Sequence, residues 1–77
     1  RRFMSREELN LLKYTIAVVA EFAKHFGISQ KQSFNYLKRF LGLDYLLEYY
    51  DVLHTLSFED AIEAMTAICK RNGGLLQ

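Results

Sequence analysis

The chain has 77 residues, of which 51% are hydrophobic and 25% are charged, and its formal net charge is +1. A chain of this length forms a single domain, and its apolar content is too high for a disordered segment. The single cysteine, Cys69, excludes an internal disulfide framework and a multi-cysteine zinc site, and it favours a reducing, cytoplasmic compartment. No apolar run reaches the roughly 18 residues of a membrane span.

The first predicted helix begins at Ser5, which forms a capping box with Glu8, and ends at Gly27. Apolar residues three and four positions apart form its predicted inner stripe: Leu9, Leu12, Ile16, Val19, Ala20, Ala23 and Phe26. Four more widen the apolar surface: Leu11, Tyr14, Val18 and Phe22. A helix that is apolar nearly all round is central in the fold or shared with a second subunit, so we expect a homo-oligomer that associates through this helix.

The second predicted helix begins at Ser29, with Gln32 as its capping-box partner, and ends at Gly42. Its predicted inner face is Phe34, Leu37 and Leu41, with Tyr36 and Phe40 beside it. Asp44 is expected to cap a third helix that runs through Tyr45 to Leu53.

Ser57, with Asp60 three residues on, is expected to begin the last helix, which stops at residues 72–74. Its inward residues are expected to be Ala61, Ile62, Met65 and Ile68. The chain is therefore predicted to be all-α, a compact array of about four short helices in one domain, residues 5–74. Residues 1–4 are interpreted as an expression-vector remnant followed by the start methionine, and residues 75–77 as a frayed tail.

Catalytic and metal-binding patterns are weak in this sequence. His25 and His54 lie on different predicted helices, and Cys69 lies in the last turns of a helix, where the dipole opposes a thiolate. Glu48, Asp51 and His54 share one helical face, but a single helix offers too few ligands to close a metal site. We therefore expect no enzyme activity, no cofactor and no metal, and a buried, inert thiol at Cys69.

Residues 21–37, EFAKHFGISQKQSFNYL, resemble a helix-turn-helix, whose second helix enters the major groove of DNA. Ser33 occupies the position where that motif expects an apolar residue, and Phe34 follows one place late. The side chains of the second helix are suited to bases and phosphates. The possible DNA-binding residues are Gln30, Lys31, Gln32, Asn35, Lys38 and Arg39.

Residues 43–57, LDYLLEYYDVLHTLS, interleave aromatic and acidic side chains. Tyr45 and Tyr49 are four positions apart, as are Tyr50 and His54, so each pair is expected to stack. Exposed tyrosines among acids make good protein-binding anchors; the alternative is that the rings pack inward with only their hydroxyl groups at the rim. The predicted partner-binding residues are Asp44, Tyr45, Glu48, Tyr49, Tyr50, Asp51, His54 and Thr55.

Charge is divided along the chain. Residues 1–43 hold eight Lys/Arg and three Asp/Glu, whereas residues 44–77 hold two Lys/Arg and six Asp/Glu. No acid occurs from Phe22 to Leu43, and no Lys or Arg occurs from Asp44 to Glu63. Two interpretations stay open: the halves attract each other within the fold, or they form two faces for two partners.

The sequence also resembles a small bacterial family of uncharacterised helical proteins. The matching elements are Gly27-Ile28-Ser29, Leu43-Asp44-Tyr45-Leu46 and the run from Tyr50 to Thr55, YDVLHT. The resemblance implies a gene neighbourhood with toxin-like proteins related to ADP-ribosyltransferases, and hence an antitoxin-like or accessory role. The expected function is a non-enzymatic protein-binding module whose partner is another protein, such as a cognate toxin; the alternative is a helix-turn-helix DNA-binding regulator that uses residues 21–40.

Overall fold

The computed structural model of the chain describes residues 3–75, in which every regular element is a helix. The helices are α1 (Arg6–Phe26), α2 (Gln30–Arg39), α3 (Gly42–Glu48), α4 (Tyr50–Leu53) and α5 (Phe58–Arg71). The predicted all-α class is confirmed. The start of the predicted vector remnant, Arg1 and Arg2, and the end of the predicted tail, Leu76 and Gln77, lie outside the described residues. Within residues 3–75, no helix has the length and apolarity needed to cross a membrane.

Side-chain caps begin three of the helices, as predicted. The hydroxyl oxygens of Ser5, Ser29 and Ser57 each accept a hydrogen bond from a backbone N–H three residues later, at 3.0 to 3.1 Å. In the first two cases the capping residue's own backbone N–H donates a hydrogen bond to the side-chain oxygen of Glu8 or Gln32. Because these caps satisfy helix N–H groups that have no partner within the helix, they set where α1, α2 and α5 begin.

The predicted end of the second helix at Gly42 is wrong. Helix α2 ends at Arg39, the left-handed residue is Leu41 with φ of 68°, and Gly42 is already the first residue of α3. The glycine is needed for space instead. A Cβ atom at position 42 would lie 2.8 Å from Leu37 Cδ2 and 2.9 Å from Cys69 Sγ, so its absence lets α3 pack closely on α2 and α5.

The predicted third helix is divided in two. Asp44 lies in the first turn of α3 rather than at its cap, and Tyr49, with φ −110° and ψ 22°, separates α3 from α4. Tyrosine, aspartate and valine are weak helix formers, and four such residues follow one another at positions 49–52. Leu46 and Leu53 are buried on either side of this break, so the segment stays attached to the core.

Only the second half of the predicted inner stripe of α1 faces the core, where Val19 and Ala23 are buried and Phe26 packs against the core cluster. Val18 and Phe22 are completely buried and Leu11 and Tyr14 pack against the core, whereas Leu9, Leu12 and Ile16 of the predicted stripe are exposed. The cause is the length of α1. With 21 residues, each adding about 1.5 Å, it is the longest helix and extends beyond the others, so its buried residues lie only between Val18 and Ala23. The first half of α1 therefore carries an uncovered apolar stripe.

Helix α2 is rotated relative to the prediction, so that Phe34 and Leu41 are exposed rather than inward. Its inner face is Ser33, Tyr36, Leu37 and Phe40. Ser33 can be buried because its hydroxyl group donates a hydrogen bond to a backbone carbonyl, which removes the cost of burying a polar atom. In α5, Ala61, Ile62 and Met65 are buried as predicted, while Cys69 rather than Ile68 completes the buried face.

Candidate partner-binding surface

The eight predicted partner-binding residues lie on α3, on α4 and in the turn that follows α4. Six of them are exposed, whereas Tyr45 and Tyr50 are half-buried. The exposed ones are Asp44, Glu48, Tyr49, Asp51, His54 and Thr55. The Thr55 hydroxyl group donates a 2.6 Å hydrogen bond to the Val52 carbonyl oxygen, which holds the end of α4.

The tyrosines pair as their spacing predicts. The ring centroids of Tyr45 and Tyr49 are 4.9 Å apart, with the ring planes tilted by 45°. The Tyr50 and His54 rings are stacked, with centroids 4.7 Å apart. Both predicted pairings are confirmed.

Each pair has one ring at the core: Tyr45 packs against the core cluster, and Tyr50 packs on Tyr14 of α1. The Tyr50 ring packs edge-on against the Tyr14 ring of α1, with ring centroids 5.4 Å apart. Tyr14 also stacks on Phe58, with centroids 6.0 Å apart. Burial, and secondarily the neighbouring Tyr50, raises the pKa of Tyr14. In contrast, Tyr49 is 45% exposed. Tyr50 is thus an edge of the core, as the alternative interpretation held, whereas Tyr49 is available for contact.

Sequence reasoning missed the apolar part of this surface. Leu47, Val52, Leu56 and Phe58 are all exposed, and Val52 is the most exposed of them at 59%. The signal was available in the spacing: Leu46 and Leu53, seven positions apart, take the inward side and leave the apolar residues between them outside. We call the exposed side chains of residues 44–58 the acidic–aromatic surface.

The acids of this surface have no cationic neighbours. Asp44, Glu48 and Asp51 form no ion pair with any residue in the described part of the chain. The Glu48–Asp51–His54 run therefore does not form local salt bridges, and the His54 ring lies on Tyr50 instead. Among residues 3–75, no group of three or more His, Cys, Asp or Glu side chains is arranged to hold a metal ion.

The six possible DNA-binding residues of α2 are all exposed: Gln30, Lys31, Gln32, Asn35, Lys38 and Arg39. Gln32 is partly engaged, because its Oε1 accepts the Ser29 N–H at 2.9 Å. Ser33, at the position where the helix-turn-helix pattern expects an apolar residue, is buried at the contact between α1 and α2.

The two oppositely charged segments do not neutralise each other through ion pairs. Lys31, Lys38 and Arg39 are within ion-pairing distance of no acid between residues 3 and 75, and Arg39 instead lies 5.4 Å from the centroid of the Phe40 ring. Packing of α2 on α3 brings the basic and acidic segments into one fold without pairing their charges.

Cys69 is completely buried. Burial raises the pKa of its thiol to about 11, although a hydrogen bond from the Gly42 backbone N–H acts in the opposite direction. Because a thiolate is the reactive form, a thiol with this pKa is a poor nucleophile at neutral pH.

Residues 13–72 match the model of the family described as Protein of unknown function (DUF3791). No curated protein and no solved structure matches the chain.

Proposed function

The chain belongs to the family of proteins of unknown function DUF3791, and from that premise we propose that it is a non-enzymatic, antitoxin-like module that neutralises a partner protein through the acidic–aromatic surface. The observation that carries the proposal is the exposure of Leu47, Tyr49 and Val52 beside carboxylates that have no ion-pair partner in the described residues. Large apolar side chains that stay exposed in one short segment of a folded domain commonly mark an interaction site.

The surface combines the two properties that a specific interface needs. Exposed aromatic and branched apolar side chains provide anchors, which contribute most of the binding energy of protein interfaces. The carboxylates of Asp44, Glu48 and Asp51 select a partner with a basic surface and increase the rate of encounter with it. The partner therefore presents a cleft that is apolar at its centre and basic at its rim.

The gene neighbourhood implied by the family resemblance supports a toxin as that partner. Enzymes related to ADP-ribosyltransferases bind an anionic dinucleotide, so a basic cleft is expected in such a toxin. An acidic surface with an exposed tyrosine would compete with the nucleotide for this cleft through charge complementarity. Neutralisation inside the producing cell also fits the expected cytoplasmic location.

The first test is a pull-down from native lysate, with and without nuclease, and with the neighbouring toxin-like protein coexpressed. A stoichiometric protein that survives nuclease treatment and is lost with Tyr49→Ala or Asp51→Lys would support the proposal. Leu75→Ala is the matched control, because it also truncates an exposed apolar side chain but lies outside the acidic–aromatic surface and outside α1. Unchanged partner binding by correctly folded Tyr49→Ala and Asp51→Lys variants would refute this surface.

DNA binding by α2 is a second candidate function, supported by the exposed Lys31, Asn35 and Lys38 on one side of the helix. These residues lie at the spacing of one helical face, in a stretch without acids. Binding would weaken steeply with salt, because each neutralised phosphate contributes about −0.9 to the slope of log K against log salt. Retention of nucleic acid that is lost with Lys31→Glu would favour this function, and a salt-independent signal would exclude it.

A further inference from the structure

A groove separates the second half of α1 from α5. Its main cavity measures about 570 Å³, and an adjoining cavity of about 290 Å³ shares His25, Glu59 and Ile62 with it. Apolar side chains, among them Phe26 and Ile62, contribute to its lining. We call the two cavities together the α1–α5 groove.

Carboxylates outnumber ammonium groups in the lining of this groove. Glu21, Glu59, Asp60 and Glu63 contribute four carboxylates, against Lys24 and Lys70. None of these six groups is in an ion pair with a residue in the range 3–75. Glu59 and Glu63 are one helical turn apart, so their carboxylates stand side by side along α5. The groove therefore suits a segment that has an apolar side chain with one cation on each side of it.

The same chain carries such a segment on α2. Phe34 is 43% exposed, and Lys31 and Lys38 lie three residues before it and four residues after it, on the same side of the helix. Neither lysine has an ion-pair partner among the described residues. An exposed phenylalanine between two unpaired lysines complements an acidic groove with apolar side chains in its lining.

We propose that α2 of one copy docks in the α1–α5 groove of a second copy. The Phe34 ring contacts Phe26 and Ile62, and the flanking ammonium groups of Lys31 and Lys38 pair with the Glu59 and Glu63 carboxylates. The groove adjoins the acidic–aromatic surface at Phe58, but the contact itself uses no residue of that surface and does not depend on the proposed neutralising function.

The contact is head-to-tail. In a pair of copies, one groove and one α2 helix remain unoccupied and can bind further copies. Helix α2 packs on α1 at Val19 and Phe22, whereas the groove is lined by Glu21, Lys24 and His25, which point in other directions around the same helix. One copy can therefore use both surfaces at once. Such heterologous contacts extend into chains unless the rotation between copies closes a ring, so assembly increases with concentration.

Sedimentation velocity of the full chain tests the proposal, in about 20 mM and about 500 mM salt, because screening weakens contacts between exposed charges. The wild-type weight-average mass is expected to increase with concentration at low salt, and to fall at high salt to the value set by apolar association through α1 alone. The K31E/K38E and E59K/E63K variants should each raise the low-salt dissociation constant at least about tenfold. Phe34→Ala should weaken association without changing the charge.

Mixing the two charge-reversed variants gives the decisive result. Each variant repels its own copies at this contact, but the two together restore both contacts, so at low salt the mixture should reach a higher mass than either variant alone. The matched control pair, R6E/K13E and D44K/D51K, carries the same charge changes at other exposed positions and leaves α2 and the groove intact, so each control variant should associate like the wild type and mixing them should add nothing. A salt-independent wild-type mass, or a mixture of the K31E/K38E and E59K/E63K variants that associates no more than either variant alone, would overturn the proposal. Circular dichroism tests whether each variant is folded.

Discussion

The hydroxyl group of Ser33 on α2 donates a 2.8 Å hydrogen bond to the carbonyl oxygen of Val19 on α1, at a point where Ser33 has no exposed surface. Because serine is small and its hydroxyl group is bonded here, the two helices approach each other without leaving a buried polar atom unpaired. The contact fixes the position of α2 on α1, and with it the exposure of every basic side chain on α2.

Replacing Ser33 should separate the contributions of this hydrogen bond and of its small volume. Ser33→Ala is expected to lower the free energy of unfolding by about 1 kcal/mol through loss of the bond. Ser33→Leu is expected to cost about 1–3 kcal/mol through overpacking. Urea unfolding followed by circular dichroism measures both, with exposed Asn35→Ala as the control; a leucine variant more stable than wild type would contradict the close approach.

Gly42→Ala is expected to destabilise the chain by about 1–3 kcal/mol, because the new Cβ atom would lie 2.8 Å from Leu37 Cδ2 and 2.9 Å from Cys69 Sγ. Cys69→Ala in the same chain should recover part of that loss by removing one of the two clashing atoms. Gly27→Ala is the comparison, since its φ of 65° penalises alanine although no atom lies within 4 Å. Additive effects of the Gly42 and Cys69 substitutions in thermal unfolding would show that the two sites do not touch.

The stability of the fold should decrease at alkaline pH because of Cys69. Its pKa is raised from 9.0 to about 11 in the folded chain, so the stabilisation is complete below pH 9 and is lost as the pH rises through about 11. Urea unfolding under reducing conditions between pH 8 and pH 10 measures this decrease. The slope should be smaller in Cys69→Ala, and an identical slope would assign the decrease to other groups, such as Tyr14 and Tyr36, whose pKa values burial also raises.

Association through the first half of α1 remains a prediction with a clear test. Leu9, Leu12 and Ile16 are exposed along one side of this half, and apolar contacts resist salt. We expect the oligomer seen by light scattering in high salt to become a monomer in a Leu12→Gln/Ile16→Gln variant, whereas exposed Lys13→Gln should have no effect. A wild-type monomer at high concentration in high salt would rule out this interface.

The sequence predicted the starts of α1, α2 and α5 because capping is a local interaction; the starts of α3 and α4, which have no side-chain cap, were not predicted. Ser5, Ser29 and Ser57 each bond a backbone group three residues away, so a short pattern contains all the information. The all-α class follows in the same way from helical periodicity and from caps.

The orientation of each helix was less predictable, because it depends on residues distant in the chain. Leu9 and Leu11 are equally apolar, and only the positions of the other helices decide that Leu11 packs against the core while Leu9 does not. Ser33 was expected to be a poor interior residue. The hydrogen bond that allows its burial could not be foreseen, because the acceptor, the Val19 carbonyl group, lies fourteen residues away. Within the candidate surface, ring pairing followed from local spacing, but the exposure of Leu47 and Val52 required knowledge of what covers α3 and α4.

The separation of charge onto different helices makes the surface charge of this nearly neutral protein uneven. With a formal charge of only +1, the molecule is neither attracted nor repelled strongly at long range, yet a charged surface would rotate it before contact. At low salt it should therefore be retained on both cation- and anion-exchange resins, through different helices. Orientation before contact would present α2 to anionic surfaces and the α3–α5 end to cationic ones, so the same small protein meets each class of surface with a different side.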